Sequence, residues 1–335
     1  YLLRWGQYAY LENMRSKLQG QLDNPVLQML NQGHLARVYH NQGKLETAKA
    51  LYQTAATLAL ENEEQRYYNT WLGYIGMVHF DQGQTNIAIQ FYEQALNIAR
   101  SVKDRHHESL WLGYLGLAYR FLDQLEQTIT LTEEALTIAN ELGDDNQKVN
   151  WFNILGYAYR VMSKHQRAIE AYRQALLINR ELGNLQREIE SLSGLGRVYV
   201  EQGRFKKALD LYQSALRIAL KIGHRSNESY VLGSMGYTFF MLDNTEHALE
   251  LYHSAHIIAR EIDHLREESV LIRRIAEIYV RLGKLASARQ CCEKALNLAY
   301  EIHDTRRIRQ YWIVLSRIAL MIGKLQEAER ASLEA

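Results

Sequence analysis

Proline is nearly absent. The 335 residues hold one, Pro25, against 20 glycines. Proline stops helices and glycine caps them, so this balance favours long helices that end at glycine. Cysteine is as scarce: Cys291 and Cys292 are the only two, and sequence neighbours make a poor staple. That excludes a disulfide framework and leads to the expectation of a reducing, cytoplasmic setting. Charge of one sign is also missing. Lys and Arg number 39, Asp and Glu 38, for a net charge of +1. No global field therefore draws the chain to nucleic acid or to an acidic membrane. No run approaches the roughly 18 apolar residues of a membrane span, and no N-terminal leader pattern is visible. The chain begins at Tyr1 rather than Met, which suggests a fragment of a longer protein. Neither a phosphate-cradling glycine loop nor HExxH occurs. No catalysis, cofactor or metal is therefore expected.

What is present is a period. WLGYLGLAYR at 111–120 has relatives in WLGYIGMVHF at 71–80 and WFNILGYAYR at 151–160, 40 residues apart each time. Stepping by 40 from Ala36 gives Gly76, Gly116, Gly156, Gly196, Gly236, Ala276 and Ser316, all small. Stepping from Ala55 gives Ala95, Ala135, Ala175, Ala215, Ala255, Ala295 and Ala335, alanine throughout. A single globular core has no reason to hold such a register; stacked repeats do.

Each unit reads as two helices. Leu115, Gly116, Tyr119 and Leu122 share one face of the first, and Ala168, Tyr172, Ala175 and Ile178 one face of the second. Between them stand Gly43, Gly83, Asp123, Ser163, Gly203, Asp243, Gly283 and Gly323, where a helix end calls for a left-handed residue. ELGD (141–144), ELGN (181–184) and KIGH (221–224) turn the chain between repeats. Helices cross closely only where side chains are short, so Gly116 is expected to meet Thr128, and Gly156 Ala168, inside a hairpin.

The series Gly156, Tyr159, Ala168, Tyr172, Ala175 resembles the tetratricopeptide repeat. The form is the longer one of Pins-type adaptors, kinesin light chains and bacterial regulators of this kind. The resemblance covers residues 27–335 as eight repeats, the last cut short. Residues 1–26 read as a degenerate half-repeat or capping helix, with Arg15 in an alanine slot. It implies an all-α, right-handed solenoid of about eight hairpins. It also implies a non-catalytic interaction scaffold, a module of a larger regulatory protein that holds a peptide or partner segment in its concave groove. The family's carboxylate-binding pattern fails here, because glycine mostly stands where that pattern has lysine.

By elimination, positions such as 113, 117, 120 and 121 form the free face of the first helix. Gly33, Gly73, Gly113 and Gly233 lie there. Each costs about 1 kcal/mol against alanine. Either they make room for a partner or they relieve crowding between successive first helices. Arg37, Arg120, Arg160, Arg197, Arg273, Arg281 and Arg317 share the face. Arginine with tyrosine is a common hot-spot composition. The candidate partner-binding set is Tyr74, Tyr114, Arg120, Asn153, Tyr157, Arg160 and Arg197, facing a protein segment with acidic groups. The plain alternative is a solvated face of locally paired arginines. Single-stranded nucleic acid on the same Arg and Tyr residues is the other binding mode, disfavoured by the near-zero charge. His256, near His253 and His247, reads as a core histidine satisfied by a neighbour rather than a metal ligand. His106 and His107 are expected in a loop, and Cys292 as a small buried hydrophobe. The apolar face of the last helix suggests self-association through an uncapped end.

Overall fold

A computed structural model describes residues 8–18 and 22–334. Ala335 and residues 1–7 and 19–21, which carry parts of the alanine series and of the N-terminal segment, lie outside the described residues. Among the described residues every regular element is a helix. They are α1 (Tyr8–Leu18), α2 (Pro25–Asn41), α3 (Leu45–Glu61), α4 (Gln65–Asp81), α5 (Thr85–Ser101), α6 (Arg105–Phe121), α7 (Leu125–Leu142), α8 (Asp145–Val161) and α9 (His165–Glu181). There follow α10 (Leu185–Glu201), α11 (Phe205–Ile222), α12 (Arg225–Met241), α13 (Thr245–Glu261), α14 (Leu265–Arg281), α15 (Leu285–Glu301), α16 (Thr305–Ile322) and α17 (Leu325–Leu333). Counted along the chain, α2 to α17 make eight helix pairs, as an α-solenoid requires. The chain forms two compact units, Tyr1–Ala171 and Tyr172–Ala335. In each, a helix packs chiefly on the helices before and after it in sequence.

The turns are more regular than the residues that make them. Every twentieth residue from 43 to 323 has positive φ. Gly43, Asp123 and Ser163 were legible as such positions; Glu63 (φ 57°), Lys103 (55°) and His303 (53°) were not. A non-glycine residue there costs on the order of 1–2 kcal/mol, which packing of the flanking helices overrides. The backbone after the left-handed residue bonds back into the helix, as Lys44 N to Tyr39 O at 2.9 Å. The next helix is often capped at once, as by Asp104 on His107 N and Asn244 on His247 N, which satisfies an orphan donor of the first turn.

The small slots sit at crossings inside the hairpins. A Cβ on Gly76 would lie 2.9 Å from the Tyr92 ring. One on Gly116 would lie 2.4 Å from Thr132 Oγ1 and 3.3 Å from the Thr128 carbonyl, and one on Gly236 3.0 Å from Tyr252. Tyr52, Tyr92, Tyr212 and Tyr252 are buried beside these crossings.

The second glycine series has a different cause, and the structure decides between its two readings. A Cβ on Gly33 would fall 2.3 Å from the Trp71 ring, on Gly73 2.2 Å from Trp111, and on Gly113 2.1 Å from Trp151. Gly233 faces Leu271 at 3.0 Å in the same way. Each glycine admits the large side chain of the next first helix. The room is already filled, so the reading that it accommodates a partner is corrected.

The tryptophans also carry a polar handle that must be matched when buried. Trp111 Nε1 donates to Asn69 Oδ1 at 2.6 Å and Trp151 Nε1 to Ser109 Oγ at 3.3 Å. In the second unit Ser269 and the Tyr311 hydroxyl pair at 3.1 Å. The corresponding position before Trp71 is Met29, and Trp71 Nε1 is buried without a partner. Asn69→Ala should therefore cost about 1–3 kcal/mol, since it orphans a buried N–H. Urea unfolding of the purified chain measures it. Met29→Ala, which removes no hydrogen bond, serves as the apolar reference.

Candidate functional site

In the first unit two guanidiniums address one ring. Arg120 stands 4.7 Å from the centroid of Tyr157 and Arg160 5.0 Å. The pairing follows from the period: 120 and 160 are the same position on α6 and α8, and Tyr157 precedes Arg160 by one helical turn on a shared face. Arg120 also lies 5.3 Å from Phe121, which Phe80 meets edge-on at 4.9 Å. Phe121 and Val161 are exposed. The result is a cationic and aromatic corner at the C-terminal ends of α4, α6 and α8. Cation–π contact orients a guanidinium over the ring face.

Tyr74 and Tyr114 are tied into an aromatic row. Tyr74 stacks on Tyr52 at 5.4 Å and meets Trp111 edge-on at 6.0 Å. Tyr114 stacks on Tyr92 at 5.7 Å and meets Trp151 edge-on at 6.2 Å. Both are half-buried, so they can offer ring area to a ligand without reorganising. Asn153 is half-buried, in the slot held by Gly33, Gly73 and Gly113 in earlier repeats.

Arg197 belongs to the second unit. Burial works against its charge, but Tyr230, Tyr212 and Glu201 outweigh this and raise its pKa. Other arginines of that unit are paired within it. Arg273 bonds Glu277, Arg274 reaches Glu277 at 3.0 Å and the Tyr237 ring at 4.5 Å, and Arg281 reaches Asp243 at 2.6 Å. For Arg273 and Arg281 local pairing is what the structure shows. Glu267, whose carboxylate would lie 3.8 Å from a Cβ on Gly233, has its pKa pushed up by burial.

The histidines need one correction. His106 and His107 are not in a loop; they lie in the first turn of α6. Asp104 caps that helix through His107 N and holds the His107 ring at 2.9 Å, while its other nitrogen meets Thr70 Oγ1 at 3.2 Å. The left-handed Lys103 ends α5 early enough for α6 to start there. His256 pairs with Glu268 at 3.2 Å, as a histidine satisfied by a neighbour. Cys292 is buried, and burial pushes its thiol up to about 12, so it is a poor nucleophile.

A set of acids went unread. Glu108 takes Arg100 at 3.1 Å and Arg105 at 2.7 Å, and Glu188 takes Arg180 at 2.8 Å. With Glu228 and Glu268 they recur in the first turn of the first helix, where acids favour the helix dipole. Each ties a second helix to the next repeat or to its own helix start. They share one register of the 40-residue period, which Lys148 interrupts.

Among the described residues no His, Cys, Asp and Glu side chains gather in a group that could hold a metal ion, and no helix is long and apolar enough to cross a membrane. Family models described as tetratricopeptide repeat match residues 26–101, 66–141, 106–181, 149–221 and 187–261, and a further one matches 274–301. No curated protein matches the chain. Solved structures are similar in fold. A Rap protein complexed with competence and sporulation factor is 17% identical, with TM-score 0.71, over 98% of this chain and 92% of that one. Aspartyl phosphate phosphatase F from Bacillus subtilis is 12% identical, with TM-score 0.64, over 99% and 89%. A signal transduction ATPase with a tetratricopeptide repeat sensor from Pyrococcus horikoshii is 17% identical, with TM-score 0.63, over 97% of this chain and 51% of that one.

Proposed function

The chain belongs to the tetratricopeptide repeat family, and on that premise we propose that it is a non-catalytic protein–protein interaction scaffold. The first unit would hold a partner segment bearing acidic groups against Arg120, Tyr157 and Arg160. The observation that carries this reading is the pair of guanidiniums on one tyrosine ring, at 4.7 and 5.0 Å, beside exposed Phe121 and Val161. An acidic segment with apolar side chains would satisfy both features at once. Tyr114 and Tyr74 would add ring area at low entropic cost, and Asn153 a backbone contact. Arg197, fastened to Tyr230, is proposed as an anchor of the second unit in its own right. A cytoplasmic location is proposed with it, on the scarcity of cysteine.

Arg160→Ala is expected to weaken partner binding by about 1–3 kcal/mol if the guanidinium is desolvated by the partner. Full-length chain is used to capture its partner, and wild type, Arg160→Ala and Arg120→Ala/Arg160→Ala are compared by titration with the recovered protein. Circular dichroism checks folding. Unchanged affinity of the double variant would place the binding surface elsewhere. A salt titration separates the classes: an apolar and acidic segment loses affinity modestly, whereas nucleic acid held by several phosphate contacts loses orders of magnitude.

A further inference from the structure

At the start of the first unit three basic side chains come together, and among the described residues the charges acting on Arg15 and His34 are basic. Arg15 comes from α1, and His34 and Arg37 from α2. Arg15 donates to Asn31 Oδ1 at 3.3 Å, and Asn31 Nδ2 donates back to the Arg15 carbonyl at 3.0 Å. Asn31 is 3% exposed, so it fixes the Arg15 side chain against α2. The two guanidiniums lie within electrostatic reach of His34 and of each other. The His34 ring is braced edge-on to Trp71 at 6.2 Å. Three donors here are buried without a hydrogen-bond partner: Arg37 Nε, the Tyr52 hydroxyl and Trp71 Nε1. The Arg37 charge reaches that hydroxyl as well.

This arrangement is costly. Burial lowers the pKa of Arg15, and Arg37 lowers it further. Burial and the two arginines bring His34 down to about 4. Like charges gathered together disfavour the empty state. The acid nearest in sequence, Glu12, is engaged by Gln42 and Lys44. Residues 1–7 and 19–21 contain no Asp or Glu.

We propose that Arg15, His34, Arg37 and the Tyr52 hydroxyl form a binding site for a doubly charged oxyanion of the phosphate-ester class. The choice of a dianion follows from charge: two permanent guanidinium charges are neutralised by two negative charges and only half by a carboxylate. Geometry points the same way. An orphan Nε donor, an orphan hydroxyl donor and the arginine forks exceed what two carboxylate oxygens accept, whereas a phosphoryl group presents three. Burial pushes the Tyr52 hydroxyl pKa up, so it remains a donor.

The His34 contribution has a definite sign. An adjacent dianion favours the imidazolium, so the bound-state pKa lies above the free value of about 4. Binding therefore takes up a proton. Affinity rises as pH falls through the bound-state pKa and levels off below about 4. The groups acting on His34 are Arg15 from α1 and Arg37 from α2, with the Trp71 ring from α4 against it; the Tyr52 ring from α3 stacks on Trp71 and meets His40, which pairs with Asp81 at 2.7 Å.

The test is calorimetric titration of the whole chain with sodium sulfate, inorganic phosphate and sodium acetate at constant ionic strength. Sulfate stays divalent throughout, so it isolates the protein's own titration. One sulfate site per chain is expected, with acetate at least about tenfold weaker. Arg37→Gln should weaken sulfate about tenfold. His34→Gln should leave the affinity near pH 8 unchanged and abolish its rise toward about pH 5. Phosphoserine amide is titrated beside inorganic phosphate: a gain for the amide assigns a phosphorylated side chain as the source, and parity assigns free phosphate. Absence of sulfate binding, equal binding by Arg37→Gln, or acetate matching sulfate overturns the site. An unchanged pH profile in folded His34→Gln removes His34 from it.

Discussion

Trp111→Ala is expected to destabilise the first unit by about 3–5 kcal/mol, the range for emptying a buried aromatic site. Trp111 is fully buried. Its ring fills the cleft at Gly73, stacks near Tyr92 at 6.1 Å, and meets Tyr74 edge-on at 6.0 Å. Its N–H satisfies Asn69, so the substitution also leaves a buried amide short of a partner. Relaxation cannot close the gap readily, because α4 and α6 are each held by their own hairpin partners, α5 and α7. Urea unfolding followed by far-ultraviolet circular dichroism reads the loss. A change under about 1 kcal/mol would mean that the ring covers the stack rather than wedging it, and the glycine series would then need another cause.

The complementary change is Gly73→Ser. A Cβ there would sit 2.2 Å from Trp111, a distance no rigid ring can relieve by a small shift. The cost should reach at least the upper end of overpacking, about 3 kcal/mol, although the same substitution on an exposed helix face would stabilise slightly. The chain itself supplies the rescue. By the same register Ser193 precedes Val231, and both are buried in the second unit. Gly73→Ser combined with Trp111→Val copies that pair into the first unit. The double variant should be more stable than the sum of the two single losses predicts, by about 0.5–3 kcal/mol. Strict additivity would show that the two residues do not share one space.

These pairs mark where reading the sequence stopped. The 40-residue register, the small crossing residues and the left-handed Gly and Asp turns were legible because each is a local requirement repeated eight times. One repeat that misleads is outvoted by the others. Glu63 and Lys103 escaped because nothing in their chemistry favours positive φ, and His303 because its preference is weak; the stack imposes it. His107 escaped for the same reason, since the helix it starts depends on the turn at Lys103.

The site residues divide along the same line. That Arg120, Tyr157 and Arg160 share a face followed from helical spacing. That both guanidiniums settle on one ring, and that Arg281 reaches Asp243, did not, because those partners come from neighbouring helices at distances the period does not encode. The Gly33, Gly73 and Gly113 series was visible as a cost without a stated beneficiary. Only the packing of α4, α6 and α8 named Trp71, Trp111 and Trp151 as the occupants.

By itself, then, the sequence determined the class of fold, the number of helix pairs and the positions of the turns inside each pair. Those depend on propensity, periodicity and backbone sterics within one or two helical hairpins. Tertiary structure alone decided which side chains fill the clefts, which charges are paired, and where Arg15, His34 and Arg37 come together. Burial and electrostatics act through space, between residues whose sequence separation carries no record of their distance.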